Sequence, residues 1–86
     1  MDAEKMKNDI LSVVEEYVAS TEAWEDAQLA VDTLNGNVEL VEAEEAESLP
    51  DTIDVYDVMD FVEMTPDGNW IPDTDTIAAT AAELTK

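Results

Sequence analysis

The stretch FVEMTPDGNWIP, residues 61–72, decides the fold class, because it predicts a β-hairpin inside an otherwise helix-rich chain. Residues 65–68, Thr-Pro-Asp-Gly, have turn chemistry, since proline presets its own φ and glycine accepts a positive one. Residues 61–65 and 69–72 would form the paired strands, and Pro72 marks a strand end or a sheet edge. The hairpin therefore predicts a small antiparallel sheet.

The residues after the hairpin predict a C-terminal helix over 75–84. Ile77, Ala81 and Leu84 lie on one stripe at helical spacing. Asp73 or Thr74 would cap this helix, because short polar side chains accept hydrogen bonds from the first backbone N–H groups.

The first third of the chain predicts a helical region that begins at Asp2 or Ala3. Apolar residues recur at three- and four-residue steps from Met6 to Leu34, and Gly36 is expected to end the region as a helix C-cap. A break into two helices at 20–21 is favoured, because Ser and Thr prefer caps to helix interiors.

The middle of the chain is less regular. Val38 to Glu42 predicts a short strand, and residues 42–47 predict a solvated loop or a helical turn. Residues 51–62 permit a short helix that Asp51 would cap, but their dense β-branched side chains also permit a strand. The whole chain, residues 1–86, is expected to be a single α+β domain with an N-terminal helical region, a small antiparallel sheet and a C-terminal helix.

The charge of the chain is extreme and one-sided. Asp and Glu number 23, Lys and Arg number 3, His is absent, and the formal net charge is −20. All of the acids except Asp2 and Glu4 lie between Asn8 and Thr85, a segment without one basic residue. Leu, Ile, Val and Phe make up about 23% of the chain, above the roughly 20% expected of disordered chains, so a folded but self-repelling domain is expected.

This composition excludes several classes of function. Nucleic acid and anionic membranes would repel the chain, so neither is an expected partner. With no apolar segment near 18 residues, no signal-peptide pattern and no cysteine, the expected location is the cytoplasm. Without histidine, a phosphate-binding glycine loop or a base near the serines, we predict no catalytic residue, no cofactor and no enzyme.

A calcium loop is the metal site that such acidity most readily suggests. Asp67, Asn69, Asp73 and Asp75 are the best candidates, but they lack the glycine at the sixth position and the glutamate at the twelfth. We therefore predict no metal site.

The acids themselves remain as the candidate functional residues. On a helix, the four aspartates at every third position from Asp51 to Asp60 would form one slanting row. Aromatic residues are more often core than contact, so Tyr17, Trp24, Tyr56 and Phe61 are expected inside, and Trp70, beside the turn, is the expected exception. The predicted partner-binding residues are Glu42, Glu44, Glu45, Glu47, Asp51, Asp54, Asp57, Asp60 and Trp70.

Two explanations for the scarcity of Lys and Arg compete: adaptation to a high-salt cytoplasm, and a basic partner protein. Duplex DNA carries one charge per roughly 1.7 Å, so twenty charges match about 34 Å of duplex. A folded chain of this length has a radius of gyration of about 12 Å, and its long dimension is therefore comparable. The arithmetic favours a basic DNA-binding partner, while an acidic adaptor for a protein that does not bind DNA stays open.

In its small size, its acidity and its lack of Lys and Arg, the chain resembles the DNA-mimic proteins that phages encode against host DNA-binding proteins. These share no motif, so the resemblance is one of composition over the whole chain. It implies an inhibitor that occupies the DNA-binding surface of a basic host protein. Among such targets an HU-like nucleoid (histone-like) protein is favoured, because HU-like proteins grip the minor groove without much base reading. Monomer and dimer are both left open.

Overall fold

The computed structural model describes residues 2–19 and 26–86. Its helices are α1 (Ala3–Ala19), α2 (Ala43–Ala46), a 3₁₀ helix (Val58–Phe61) and α3 (Thr74–Leu84). Its strands are β1 (Ala27–Asp32), β2 (Asn37–Glu42), β3 (Asp54–Asp57), β4 (Val62–Met64) and β5 (Trp70–Pro72). The predicted α+β class, with a helix at each end and antiparallel strands between them, is confirmed.

The two long helices begin at aspartate caps. The Asp2 carboxylate accepts a hydrogen bond from the Glu4 backbone N–H at 3.0 Å, at the start of α1. The Asp73 carboxylate accepts the Thr76 N–H at 3.2 Å and the Thr76 hydroxyl at 2.8 Å, as predicted for the C-terminal helix. These bonds satisfy N–H groups that have no partner within the first turn of a helix.

The predicted hairpin is also confirmed. Strands β4 and β5 pair antiparallel, with Met64 opposite Trp70. The Thr65 N–H donates to the Asn69 carbonyl at 2.7 Å, and the Gly68 N–H donates to the Thr65 carbonyl at 2.9 Å. Gly68 has φ 86°, the left-handed conformation for which the sequence places glycine there.

The second half of the predicted N-terminal helical region is wrong, because residues 27–32 form β1. This is the central strand of a three-stranded antiparallel sheet with the order β2-β1-β3. Ala27 and Val31 fit a helical four-residue step, but with Leu29 they also fit the two-residue period of a strand. The segment is a strand because it hydrogen-bonds with β2 on one side and β3 on the other. The favoured break at 20–21 and the core position expected for Trp24 lie outside the described residues.

Two expectations that depended on this helix change with it. Leu34, expected on the apolar stripe, is 78% exposed in the turn between β1 and β2. Gly36 has φ 72° and donates its N–H to the Asp32 carbonyl at 2.8 Å, so it closes a hairpin turn instead of capping a helix.

Residues 51–62 form no α-helix, so the helical alternative for this segment is wrong. The strand alternative holds for β3, which pairs antiparallel with β1 and completes the sheet. The 3₁₀ helix follows directly. Residues 38–42 lie in β2 as predicted, and α2 is the helical turn that was one alternative for residues 42–47.

The core lies between the two long helices and one face of the sheet. Helix α1 packs against α3, and both bury a stripe at three- and four-residue spacing. The buried cluster contains Met6, Ile10, Val14, Tyr17, Ala27, Leu29, Val31, Val58, Phe61, Val62, Ile77 and Ala81. Ala30 and Val41 are buried on the other face of the sheet, which explains why β1 lacks a clean alternation.

The molecule measures 38 × 29 × 15 Å, with a radius of gyration of 12.6 Å. Its long dimension is therefore close to the roughly 34 Å of one duplex turn. Within residues 2–19 and 26–86, no helix is long and apolar enough to cross a membrane.

Candidate functional site

The acidic side chains form the surface of the molecule. None of the carboxylates in the described residues is buried. Ion pairs in this part of the chain join Lys5 to Asp9 at 2.9 Å and Lys86 to Glu83 at 3.0 Å. Almost all of the described acids therefore have no basic partner within the molecule.

The sheet topology gathers many of these acids at one end. Strand β1 runs antiparallel to both neighbours, so its first residues lie beside the last residues of β2 and β3. Asp26 directly precedes β1, Glu42 and Asp57 end β2 and β3, and further acids follow in α2 and the 3₁₀ helix. We call this group the acidic end: Asp26, Glu42, Glu44, Glu45, Glu47, Asp57 and Asp60.

The short helix α2 presents three of these carboxylates to solvent. Ala43 and Ala46 are half-buried, whereas Glu44, Glu45 and Glu47 are exposed. The helix lies against β1 and β2, so its alanines take the inner side and its glutamates take the outer side.

A backbone bond attaches α2 to the start of β1. The Ala43 N–H donates to the Asp26 carbonyl at 2.9 Å, which places exposed Asp26 beside the α2 glutamates. Sequence reasoning placed Asp26 in a helix and missed it as a site residue. No local pattern marks it, because a tertiary hydrogen bond brings it there.

The second group of acids in the acidic end lies across β1 from the first. Glu42 is opposite Ala27, and Asp57 is opposite Gln28. Because neighbouring strands lie about 4.8 Å apart, the Cα atoms of Glu42 and Asp57 are about 10 Å apart. Their partners Ala27 and Gln28 are consecutive in β1, so the two side chains project from opposite faces of the sheet. The Gln28 side-chain amide donates to the Asp57 carboxylate at 3.3 Å and orients it.

The aspartate row expected on a helix is broken up. In β3, residues three apart point to opposite faces, so the Asp54 and Asp57 side chains diverge and their Cα atoms lie about 10 Å apart. Asp54 is opposite Val31 at the far end of the sheet, and Asp51 precedes it in the chain. The structure therefore brings Asp57 and Asp60 to the acidic end and leaves Asp51 and Asp54 away from it.

Two groups outside the acidic end, Asp32 at the end of β1 and Tyr56 beside Asp57 in β3, have pKa values shifted from their ordinary range. The Asn35 side chain and backbone N–H donate to the Asp32 carboxylate, at 2.7 and 3.1 Å, and lower its pKa. Burial raises the pKa of Tyr56, and the Asp54 carboxylate raises it further. The Asp32 carboxylate bonds within the turn between β1 and β2, and the Tyr56 ring packs against Phe61.

Trp70 is exposed, as predicted, at 44% of its surface. The expectation for the other described aromatics also holds, since Tyr17 and Phe61 are buried. Tyr56 is half-buried and meets Phe61 edge to face, with ring centroids 5.8 Å apart. The Tyr17 hydroxyl donates to the Met59 sulfur at 3.6 Å, which brings the last turn of α1 close to the 3₁₀ helix.

The acids do not converge on a point. In residues 2–19 and 26–86, no three His, Cys, Asp or Glu side chains come close enough together to hold a metal ion. A cavity of about 590 Å³ lies beside α1, β1 and β2, lined by Lys5, Asp9, Val38 and others, and it contains no residue of the acidic end. The charge is therefore spread over a surface and not focused in a pocket.

Comparison with known proteins adds no relative to this picture. No protein-family model, no curated protein and no solved structure matches the chain. The charges and geometry of the described surface are thus the basis for a functional proposal.

Proposed function

We propose that this protein is a DNA mimic that occupies the DNA-binding surface of a basic DNA-binding protein and so blocks DNA binding. The observation that carries the proposal is the acidic end: seven exposed carboxylates on adjoining elements, none in an ion pair within the described chain. Like charges in such proximity destabilise a fold. A surface of this kind is consistent with selection for a cationic partner.

The spacing of the acids supports the same proposal. The backbone positions of Glu42 and Asp57, at which the two groups of the acidic end begin, are about 10 Å apart across β1. This separation lies between the widths of the two DNA grooves, roughly 6 and 12 Å, across which the phosphate rows face each other.

Recognition would use charge-assisted hydrogen bonds. The guanidinium fork of arginine donates to carboxylate and to phosphate oxygens in the same bidentate geometry, so Glu44 or Asp60 can replace a phosphate without rearranging the partner. Association would be fast and salt-sensitive, because opposite fields steer the encounter. Binding in this way needs no cofactor and no catalysis. The favoured partner is an HU-like nucleoid protein, and the bacterial cytoplasm is the proposed place of action.

The test is displacement of DNA from a purified HU protein. Fluorescence anisotropy would follow a labelled duplex of about 20 base pairs bound to HU while the acidic protein is added at several NaCl concentrations. Displacement that weakens steeply with salt is expected. A polyglutamate peptide of similar net charge controls for bulk charge and should displace the duplex far less effectively.

Two charge-matched variants test the acidic end itself. The acidic-end variant carries E44Q, E45Q, D57N and D60N, and the dispersed variant carries E4Q, E39Q, D51N and D75N, on four separate parts of the fold. If each lost contact weakens binding by about 1 kcal/mol, the first variant loses at least about 100-fold in affinity. The dispersed variant should lose less than about tenfold.

Three results would count against the proposal. Equal losses in both variants would show that net charge acts without a defined surface. A folded wild-type protein that displaces no DNA at low salt would refute the mimic and favour adaptation to a salt-rich cytoplasm. A partner held firmly at high salt, without competition by DNA, would favour an acidic adaptor instead.

A further inference from the structure

The β4–β5 hairpin exposes a group of large apolar side chains that charge mimicry does not use. Met64 and Trp70 are cross-strand partners, exposed at 58% and 44%, and Ile71 on β5 is exposed at 39%. Scattered single apolar residues on a surface are ordinary. Here three of them share one hairpin of three-residue strands, with Met64 and Trp70 on one face and Ile71 on the other. We call this group, Met64, Trp70 and Ile71, the hairpin tip.

The backbone of the hairpin holds these side chains in place. At the turn, the Thr65 N–H bonds to the Asn69 carbonyl, and the Thr65 hydroxyl accepts the Asn69 N–H at 3.1 Å. At the base, Val62 is buried in the core, and the Asp73 N–H donates to the Phe61 carbonyl at 2.8 Å. Trp70 is therefore presented on a braced strand pair, so binding would immobilise few additional groups.

The charges around the hairpin tip select the kind of partner. Glu63 on β4 and Asp67 in the turn are both exposed, and no basic residue occurs between Asn8 and Thr85. A second copy of this chain, or any acidic surface, would be repelled. An arginine-bearing surface would be attracted, since a guanidinium stacks on the face of an indole while its N–H groups reach neighbouring carboxylates.

We propose that the hairpin tip is a second contact with the same basic DNA-binding protein, in which Trp70 stacks on an arginine side chain and Met64 packs against apolar surface beside it. This inference rests on the proposed function. It assigns separate roles to the two surfaces: the acidic end supplies the DNA-like, salt-sensitive attraction, and the hairpin tip supplies a contact that phosphate cannot make. A DNA mimic with such a contact would distinguish one basic protein from another.

The test measures the affinity of wild-type protein and variants for purified HU across a series of salt concentrations. W70A is expected to lose about tenfold in affinity at every salt concentration, with an unchanged slope of log Kd against log salt. The acidic-end variant should instead have a shallower slope. The matched control is L34A, because Leu34 is a more exposed apolar residue in the other hairpin turn and should bind like wild type.

A direct readout follows Trp70 itself in W24F protein, where it is the remaining tryptophan. Formation of the complex should protect its fluorescence from acrylamide, a neutral quencher that the acidic field does not repel. Far-UV circular dichroism would check that W70A and W24F keep the fold.

The outcomes separate the two proposals. W70A affinity equal to wild type, or Trp70 equally quenched in the complex, would overturn the second contact and leave the mimic intact. Equal losses in W70A and L34A would overturn it as well, since they would indicate unspecific adhesion. Absence of wild-type binding to HU would refute the proposed function and the second contact with it.

Discussion

Neutralising the acidic end should stabilise the fold at the same time as it removes the proposed binding. The perturbation is the acidic-end variant, with E44Q, E45Q, D57N and D60N. All four side chains are exposed, and the amide that replaces Asp57 can still accept the Gln28 hydrogen bond through its carbonyl oxygen. The substitutions therefore change charge with little change in packing.

The expected gain follows from the geometry of the acidic end. At about 10 Å in water, two like charges repel by about 0.4 kcal/mol, and screening at 0.1 M salt reduces this to about 0.15 kcal/mol. Seven carboxylates make about twenty pairs, so their total repulsion is about 3 kcal/mol at such a spacing. The variant keeps only three of the acids and removes most of these pairs. Acids that are close in sequence, such as Glu44 and Glu45, also repel in the unfolded chain. Only the roughly twelve removed pairs that folding brings together count, so the free energy of unfolding should rise by about 2 kcal/mol.

Urea unfolding followed by circular dichroism would measure this change at two salt concentrations. At 1 M NaCl the Debye length falls to about 3 Å, which screens the repulsion among the wild-type carboxylates. The free energy of unfolding of the wild type should therefore rise until it is close to that of the acidic-end variant. The dispersed variant carries the same change in net charge on four separate parts of the fold. It should gain less than about 1 kcal/mol, because two of its acids lie in helix first turns, where they are favourable.

The reasoning would be refuted if the acidic-end variant were no more stable than the dispersed variant at 0.1 M salt. It would also fail if the advantage of the acidic-end variant persisted at 1 M salt, where screening should remove it. A surface that destabilises the fold and is needed for binding is the pattern expected of a functional site.

Three further predictions concern the fold. Ile77→Ala, at a fully buried position between α3 and the core, should lower the free energy of unfolding by about 2 to 5 kcal/mol in the same urea assay. Asp73→Ala should lower the melting temperature at neutral pH. Hydrogen bonds from Thr76 lower the pKa of Asp73, so the stabilisation they give is present above its ordinary pKa of 3.8 and is lost as the pH falls through the lowered value. The melting temperatures of wild type and variant should therefore converge in acid. A difference that widens in acid would contradict the role of Asp73 as a helix cap. In Tyr17→Phe protein, ultraviolet absorbance should show Tyr56 ionising above its ordinary pKa of 10.0, and Asp54→Asn should reverse only part of the shift, because burial is the larger cause.

The elements that sequence reasoning predicted well are those specified by local chemistry. The turn at residues 65–68 needs only proline at one position and glycine at another. Helix α3 needs an aspartate cap and an apolar stripe, and helix α1 needs the stripe that begins at Met6. Neighbours within a few residues supply each of these signals, so they can be recognised without the rest of the fold.

Strand β1 shows where this reasoning fails. Its apolar residues fit two periods, and both of its faces are buried, so no alternation marks it as a strand. Strand β3 was ambiguous for a similar reason, because β-branched residues tolerate either structure over so short a segment. Strand pairing resolved both cases: β2 follows β1 through the turn that Gly36 closes, and β3 pairs with β1 from a more distant part of the chain.

The sequence by itself determined that this protein is small, intensely acidic and folded, with helices at both ends and a hairpin before the last helix. Composition and local spacing are properties of the unfolded chain, and they already specify these features. Only the tertiary structure decided which carboxylates lie at the same end of the sheet: Asp51 and Asp54 lie at the far end, whereas Asp26, Asp57 and Asp60 lie at the end where α2 carries its glutamates. The physical reason is that a shared surface depends on strand order and register, and antiparallel pairing brings together residues that are far apart in the chain.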